Sequence, residues 1–251
     1  MSPTVTALIV FGGLIIAILI GRTTRTLLPD EHVTSDSRDA IKLAMGLVAT
    51  MSALVLGLLV SSAKGAYDTE RSEVIQMASK ISFLGRLLEV YGPEAAGARV
   101  QLRDIVEEGI TKMWPGQMRR PTKTAANMQG GKVLYGAIQT LSPQNEIQTA
   151  AKSEALTLAT DIGQIRSLLA AQSVPSISTA MLVILVLWLV VIFLGFSVLA
   201  PPNTTALLAL MVSALAVSGA IFLILELDQP FGGLIGISSE AMVNALNQLG
   251  R

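Results

Sequence analysis

Cysteine is absent from the chain, and histidine occurs once, at His32, among 251 residues. Without cysteine there is no disulfide and no thiolate metal site, and a single histidine excludes the usual clusters of imidazole ligands. Charged residues are also scarce, at 14%, whereas soluble domains usually carry about 25%. The 18 basic and 18 acidic residues cancel, which leaves no net field to attract nucleic acid. These deficits indicate a membrane protein and argue against nucleic-acid binding.

Apolar residues make up 51% of the chain and gather in four long stretches, at about residues 4–20, 41–63, 177–199 and 204–225. Each is long enough to span, because a hydrocarbon core of about 30 Å takes roughly 17 to 25 helical residues. The first stretch lacks a preceding basic residue and a small-residue cleavage site, so we expect a retained helix rather than a signal peptide. Pro201 and Pro202 separate the last two stretches, which predicts a hairpin.

The region between the second and third stretches is polar and shows helical periodicity throughout. The second membrane helix is predicted to continue into this region without a break and to stop near Gly92 and Pro93. Further helices are predicted at about residues 93–113, 132–141 and 143–173, the last with Ser142 as its N-cap and Pro143 in the first helical position. The predicted fold class is an all-α polytopic membrane protein with four transmembrane helices and an extramembrane helical domain.

The domain plan follows from these stretches: a first transmembrane pair (1–63), a helical domain (64–176), a second transmembrane hairpin (177–225) and an interfacial C-terminal tail (226–251). An even number of spans places both termini and the helical domain on the same side of the membrane. Lysine and arginine flank both sides equally and leave the side open. We expect a multi-pass protein of the cell (inner) membrane. No dinucleotide, phosphate-loop, nucleophile-elbow or metalloprotease motif occurs, so we expect no enzyme activity, metal or cofactor.

The second membrane helix carries one face of small and polar residues, which we call the small-residue face: Gly46, Thr50, Ala53, Gly57, Ser61 and Lys64. Steps of three and four residues place these positions on one side of a helix. Small residues let helices pack closely in lipid, and threonine and serine bond across such contacts. Alternatively, identical helices from several subunits turn this face toward a water-filled axis, where hydroxyls and a basic mouth at Lys64 favour anions. Both interpretations stay open, and they are compatible with each other.

A second distinctive segment follows the fourth span and contains Glu226, Asp228, Pro230, Phe231 and Gly233. Carboxylates at a membrane boundary usually face water, a basic partner or an ion pathway, because burying them unpaired is costly. The plain interpretation is an interfacial turn in which the proline ends the helix and the aspartate caps it. An ion-binding or gating role is the alternative.

Two other polar sites have ordinary explanations. His32 lies among acidic residues in the first loop, where a solvated histidine is expected and a pH sensor is the alternative. Arg119, Arg120 and Lys123 predict a solvated basic loop, with contact to anionic lipid headgroups as the alternative.

The sequence resembles the bacterial bestrophin-like family over almost its whole length. The resemblance rests on the short first span with its charged loop, on the run Leu-Gly-Leu-Leu-Val-Ser-Ser-Ala-Lys at 56–64, and on Glu-Leu-Asp-Gln-Pro-Phe-Gly-Gly at 226–233. Bestrophins are pentameric anion channels whose second membrane helix lines a hydrophobic neck. The resemblance therefore implies a homo-oligomer, a pentamer, that passes chloride or other small anions and contacts membrane lipids, with the helical domain cytoplasmic.

This sequence departs from the bestrophin pattern in two ways. Its second span lacks the phenylalanines of the neck, so the hydrophobic constriction would be made by Leu56 and Val60 instead. It also has no run of consecutive acidic residues like the calcium clasp, which argues against calcium gating.

The hypotheses are therefore a channel lined by the second span, or a non-conducting membrane scaffold or signalling protein whose helical domain binds a partner. A small-solute transporter is disfavoured, because the chain has only about four spans and its sequence shows no inverted repeat.

Overall fold

A computed structural model describes residues 2–27, 35–115, 130–172, 177–201 and 203–250. Within them the chain forms α-helices, one 3₁₀ turn at Pro93–Ala95 and irregular segments, and no strand. The helices are α1 (Pro3–Leu27), α2 (Ser35–Tyr91), α3 (Ala96–Met113), α4 (Gly130–Gln139), α5 (Glu146–Gln172), α6 (Thr179–Leu199), α7 (Thr204–Leu227) and α8 (Glu240–Leu249). The predicted all-α fold is confirmed.

Four of these helices, α1, α2, α6 and α7, are long and apolar enough to cross a membrane. They coincide with the four predicted stretches. The first helix runs beyond its predicted end to Leu27, because arginines after the apolar stretch end the hydrophobic segment without ending the helix.

The chain forms two compact units: Met1–Tyr67 with Pro175–Gln229, and Asp68–Val174 with Pro230–Arg251. The first, which we call the membrane unit, has a core of buried residues from α1, α2, α6, α7 and the residues just before α6: Val10, Leu14, Ile18, Leu59, Ala63, Ile177, Leu185, Leu189, Phe193, Ala214, Ile221 and Ile224. Along each helix these residues are three, four or seven positions apart, so each helix turns one stripe inward.

Close approach of α1 and α6 depends on Gly21. A Cβ at this position would lie 2.6 Å from the backbone oxygen of Leu194 and 2.7 Å from Cβ of Ser197. The Ser197 hydroxyl donates a 2.6 Å hydrogen bond to the carbonyl oxygen of Ile18. A small residue and a hydroxyl therefore fix this contact, as is common between membrane helices.

The second unit, which we call the helical unit, contains the last part of α2 with α3, α4, α5 and α8. The helix α2 ends at Tyr91, before Gly92 and Pro93 as predicted. Its last part buries one apolar face, made by Val74, Met77, Ile81, Leu84 and Leu88. The Lys80 ammonium pairs with the Asp161 carboxylate at 2.5 Å, which joins α2 to α5. On α5, the buried residues are Ala151, Ala155, Leu158, Ile165 and Leu169, while Ile147 is exposed.

The predicted start of α5 is wrong. The helix begins at Glu146 rather than at Pro143, and its first turn is capped by Asn145 instead of Ser142. The Asn145 side-chain oxygen accepts a 2.8 Å hydrogen bond from the backbone N–H of Gln148. An asparagine side chain caps a helix N–H as well as a serine side chain does. Asn145, directly before Glu146, therefore serves as the cap.

Candidate functional site

The small-residue face of α2 is exposed throughout the described structure. Gly46, Thr50, Ala53, Gly57, Ser61 and Lys64 all lie on the surface of the chain. The buried stripe of the same helix passes through Met45, Ser52, Leu59 and Ala63. With 100° between successive helical residues, the centres of the two faces lie roughly 140° apart. The six predicted residues are thus brought together on one side of α2, and that side points away from the core of the membrane unit.

A second exposed face of α2 is rich in large apolar side chains. Leu43, Leu47, Leu54 and Leu58 are 62% to 77% exposed. This face, which we call the leucine face, lies roughly 80° around the helix from the small-residue face. The helix therefore presents two chemically different surfaces outside the core, one leucine-rich and one small and polar.

The glycines of the small-residue face have no function in packing within one chain. A Cβ added at Gly46 or Gly57 would meet nothing within 4 Å. By contrast, Gly21 permits a close helix contact, and a Cβ at Gly195 would collide with the Met45 side chain. Inside the membrane unit, close helix contacts therefore depend on the small size of Gly21 and Gly195, but not on that of Gly46 and Gly57.

The two predicted constriction residues lie in different environments. Leu56 is partly buried and packs against the core of the membrane unit. Val60 is 41% exposed and lies at the edge of the small-residue face.

The last residue of the small-residue face, Lys64, lies where the apolar stretch of α2 ends. Its ammonium nitrogen is 5.6 Å from the centre of the Tyr67 ring, a separation at which an aromatic face attracts a cation. The charge is thus kept at the boundary between the apolar and polar parts of the helix.

The two carboxylates of the boundary motif are held differently at the end of α7. Glu226 is buried, at 2% exposure, and Asp228 is half-buried. Asp228 is the C-cap residue, and its backbone N–H donates to the carbonyl oxygens of Glu226 and Ile224. The helix ends at Leu227, and a turn precedes Pro230.

The rest of the motif forms a closed loop in the helical unit. The Ile237 N–H donates to the Pro230 carbonyl oxygen at 2.7 Å, and Gly233 takes the left-handed conformation, with φ of 81°. Trp114 covers this loop: its indole N–H donates to the Ile237 carbonyl oxygen at 2.7 Å, and its ring meets that of Phe231 edge-on at 5.5 Å. Nothing in the residue pattern around Trp114 indicates this contact.

Some predicted sites lie outside the described residues, namely His32, Arg119, Arg120 and Lys123. In the part of the chain that is described, no group of three or more histidine, aspartate or glutamate side chains is close enough together to hold a metal ion.

Comparisons with known proteins agree with this architecture. A family profile described as a Bestrophin-like domain matches residues 12–242. The fold is similar to the crystal structure of a bacterial bestrophin homologue from Klebsiella pneumoniae that carries a tyrosine-to-alanine mutation, with a TM-score of 0.62 and 16% sequence identity, over 95% of this chain and 99% of that one. No curated protein sequence matches significantly. The profile covers most of the chain, and the chain belongs to the bestrophin-like family.

Proposed function

We propose that the protein is a homo-oligomeric, pentameric ion channel of the inner membrane, permeable to chloride or other small anions, in which the small-residue face of α2 lines the pore. The observation that carries the proposal is that this face is exposed and polar and points away from the core of the membrane unit. Family membership supports channel function. The helical unit and both termini would lie in the cytoplasm.

The two exposed faces of α2 support this arrangement. The leucine face suits lipid or an apolar subunit contact, because its side chains gain nothing from water. The small-residue face offers lipid little apolar area, since glycines and hydroxyl side chains make up much of it. Facing a narrow aqueous axis would hydrate these groups and allow the helices of several subunits to approach closely.

Within such a pore, we propose Val60 as the side chain of the hydrophobic constriction. It is exposed beside the small-residue face, whereas the other candidate, Leu56, packs partly into the core of the membrane unit.

The absence of cysteine allows a direct test by single-cysteine variants. Ser61→Cys places a thiol on the small-residue face, and Leu58→Cys places one on the leucine face as the matched control. In proteoliposomes, a charged, water-soluble thiol reagent should alter anion flux through the Ser61→Cys protein and leave the Leu58→Cys protein unchanged. Equal effects on both variants, or no flux through the wild-type protein, would contradict the proposal.

Charge at the pore mouth offers a second test. Lys64→Glu reverses one charge per subunit, and two unit charges 4 Å apart interact by about 1 kcal/mol even in bulk water, equivalent to roughly fivefold in relative permeability. We expect the ratio of anion to cation permeability, measured from reversal potentials, to fall at least about fivefold. Arg166→Glu, on the exposed surface of α5, is the control and should leave the ratio unchanged.

The alternative, a non-conducting scaffold or signalling protein, predicts different results. A purified oligomer that passes no ions in either assay but retains a protein bound to its helical unit would support it.

A further inference from the structure

A glutamate and a glutamine join helices α2 and α5 of the helical unit by one hydrogen bond. The Nε2 group of Gln172 donates to Oε1 of Glu73 over 3.1 Å. This bond fixes the orientation of the amide, because the opposite orientation would bring two oxygen atoms together at the same distance. Each of the two groups keeps one further oxygen, Oε2 in Glu73 and Oε1 in Gln172.

These two remaining oxygens are both shielded from solvent, and neither has a hydrogen-bond partner among the described residues. Water cannot donate to an oxygen that it does not reach, and an acceptor buried without a donor destabilises the fold. Buried polar groups in proteins are nearly always hydrogen-bonded. Two unpaired acceptors on one bonded pair of side chains therefore indicate that a donor is involved.

The positions of the two residues explain the shielding. On α2, the residues three before and four after Glu73, namely Glu70 and Met77, are buried. Residues at this spacing lie on the same side of a helix. On α5, Leu169 is buried three residues before Gln172. The pair thus lies beside the buried faces of both helices, where packed side chains keep water away from it.

The other charged groups on these parts of α2 and α5 are engaged elsewhere or exposed. Glu70 has a polar contact of its own, and Lys80 pairs with Asp161. Arg166, on α5, is exposed. None of these basic groups forms an ion pair with Glu73 in the part of the chain that the structure describes.

We propose that Glu73 binds a proton on Oε2 and donates it to Oε1 of Gln172. A protonated carboxyl group has one O–H donor, whereas the charged form has none. With this proton in place, the acid and the amide share two hydrogen bonds, and neither oxygen is left unpaired. The proton comes from the solvent, so each chain takes up one proton and the charge of Glu73 is removed. The pair is a pH-sensitive link between α2 and α5, and it does not depend on ion conduction.

The link should make the folded protein more stable as the pH falls. Lowering the pH favours the state that binds more protons, and only the folded state holds this proton by a second hydrogen bond. Glu73→Gln is the neutral mimic, because two amides form the same two hydrogen bonds without an added proton. Its melting temperature in detergent should exceed that of the wild-type protein at about pH 8. The difference should shrink by about 2 to 4 °C at about pH 5, as expected for one hydrogen bond in a chain of this size.

Glu89→Gln is the matched control on α2, since it removes the same charge from an exposed position. Its difference from the wild-type protein should be the same at both pH values. The proposal is overturned if the difference for Glu73→Gln does not shrink, or if that for Glu89→Gln shrinks as much. Both changes are isosteric, so this measurement does not require a disruptive variant.

Infrared spectroscopy detects the proton directly. An ordinary glutamate has a pKa of about 4.3 and is still largely charged at about pH 5. At that pH the wild-type protein should show the C=O stretching band of a protonated carboxyl group, and Glu73→Gln should lack it. Gln172→Leu should shift the band to higher frequency, because the acid then loses both hydrogen bonds to the amide. The absence of the band, or a band that Gln172→Leu leaves in place, would contradict the proposal.

A metal cation between the two oxygens is the competing explanation, because carboxylate and amide oxygens also bind calcium. Calcium chloride and a chelator, added separately at constant ionic strength, should leave the melting temperature of the wild-type protein unchanged. A rise with calcium that is lost in Glu73→Gln would show that a metal rather than a proton joins the pair, and would overturn the proposal.

Discussion

Gly57→Ala and Gly21→Ala are the same chemical change with opposite expected results. At Gly57 a Cβ meets nothing within 4 Å, so the alanine only improves helix propensity, by about 0.5 to 1 kcal/mol. In a chain of 251 residues, this raises the melting temperature by about 1 to 4 °C.

At Gly21, the alanine methyl must move from 2.6 Å to an ordinary contact of at least 3.4 Å from a backbone oxygen of α6. Backbone atoms cannot rotate away as a side chain does, so α1 has to shift. Overpacking of this kind costs about 1 to 3 kcal/mol, and the melting temperature should fall by about 2 to 12 °C.

The assay is thermal unfolding in detergent, followed by the fluorescence of the two tryptophans and combined with light scattering to count subunits. Gly12→Ala is the control on α1, where a Cβ also meets nothing within 4 Å. The reasoning is refuted if Gly21→Ala melts within about 1 °C of the wild-type protein, or if Gly57→Ala melts as low as Gly21→Ala without losing subunits. Loss of subunits in Gly57→Ala alone would show that the small-residue face also packs against a helix of a neighbouring subunit.

Three further predictions concern the helical unit. Trp114→Phe keeps an aromatic ring but leaves the Ile237 carbonyl oxygen without its indole donor, and thermal unfolding should show a loss of about 1 to 3 kcal/mol. A double-mutant cycle on Lys80 and Asp161, which are about one-third exposed, should give a coupling of at most about 1 kcal/mol that decreases with added salt. Burial, with a smaller contribution from the charge of Glu94, raises the pKa of Tyr91. The native state should therefore lose stability as the pH rises above the unfolded tyrosine pKa of about 10. The Tyr91→Phe variant should lose less stability over the same pH range, as measured by thermal unfolding.

The membrane helices could be predicted because their signal is local. A stretch of some twenty apolar residues identifies a span from the sequence alone, and prolines mark the hairpin. The long α2 was also predicted, since its apolar positions keep the same spacing after the chain becomes polar. Helix starts were harder to predict, because Ser142 and Asn145 can both cap and only three-dimensional context selects one.

The residues of the small-residue face could be predicted from their spacing, but the exposure of this face could not. Spacing shows that Gly57 and Ser61 share a face; it does not show whether the face is buried. The loop under Trp114 could not be predicted, because a hydrogen bond spanning 123 residues leaves no periodic signal. The small helix α8 was missed as well, although Met242, Ala245 and Leu249 recur at helical spacing and are buried.

The contact between Trp114 and Ile237 has a consequence for biosynthesis. The helical unit is built from two separate pieces of sequence, residues 68–174 and 230–251, and the last membrane hairpin is translated between them. Domains generally fold as units while synthesis proceeds from the N-terminus. This unit cannot close until α6 and α7 have been made and its final residues have left the ribosome. The fold of the helical unit is therefore completed only after the hairpin of α6 and α7 has been synthesised.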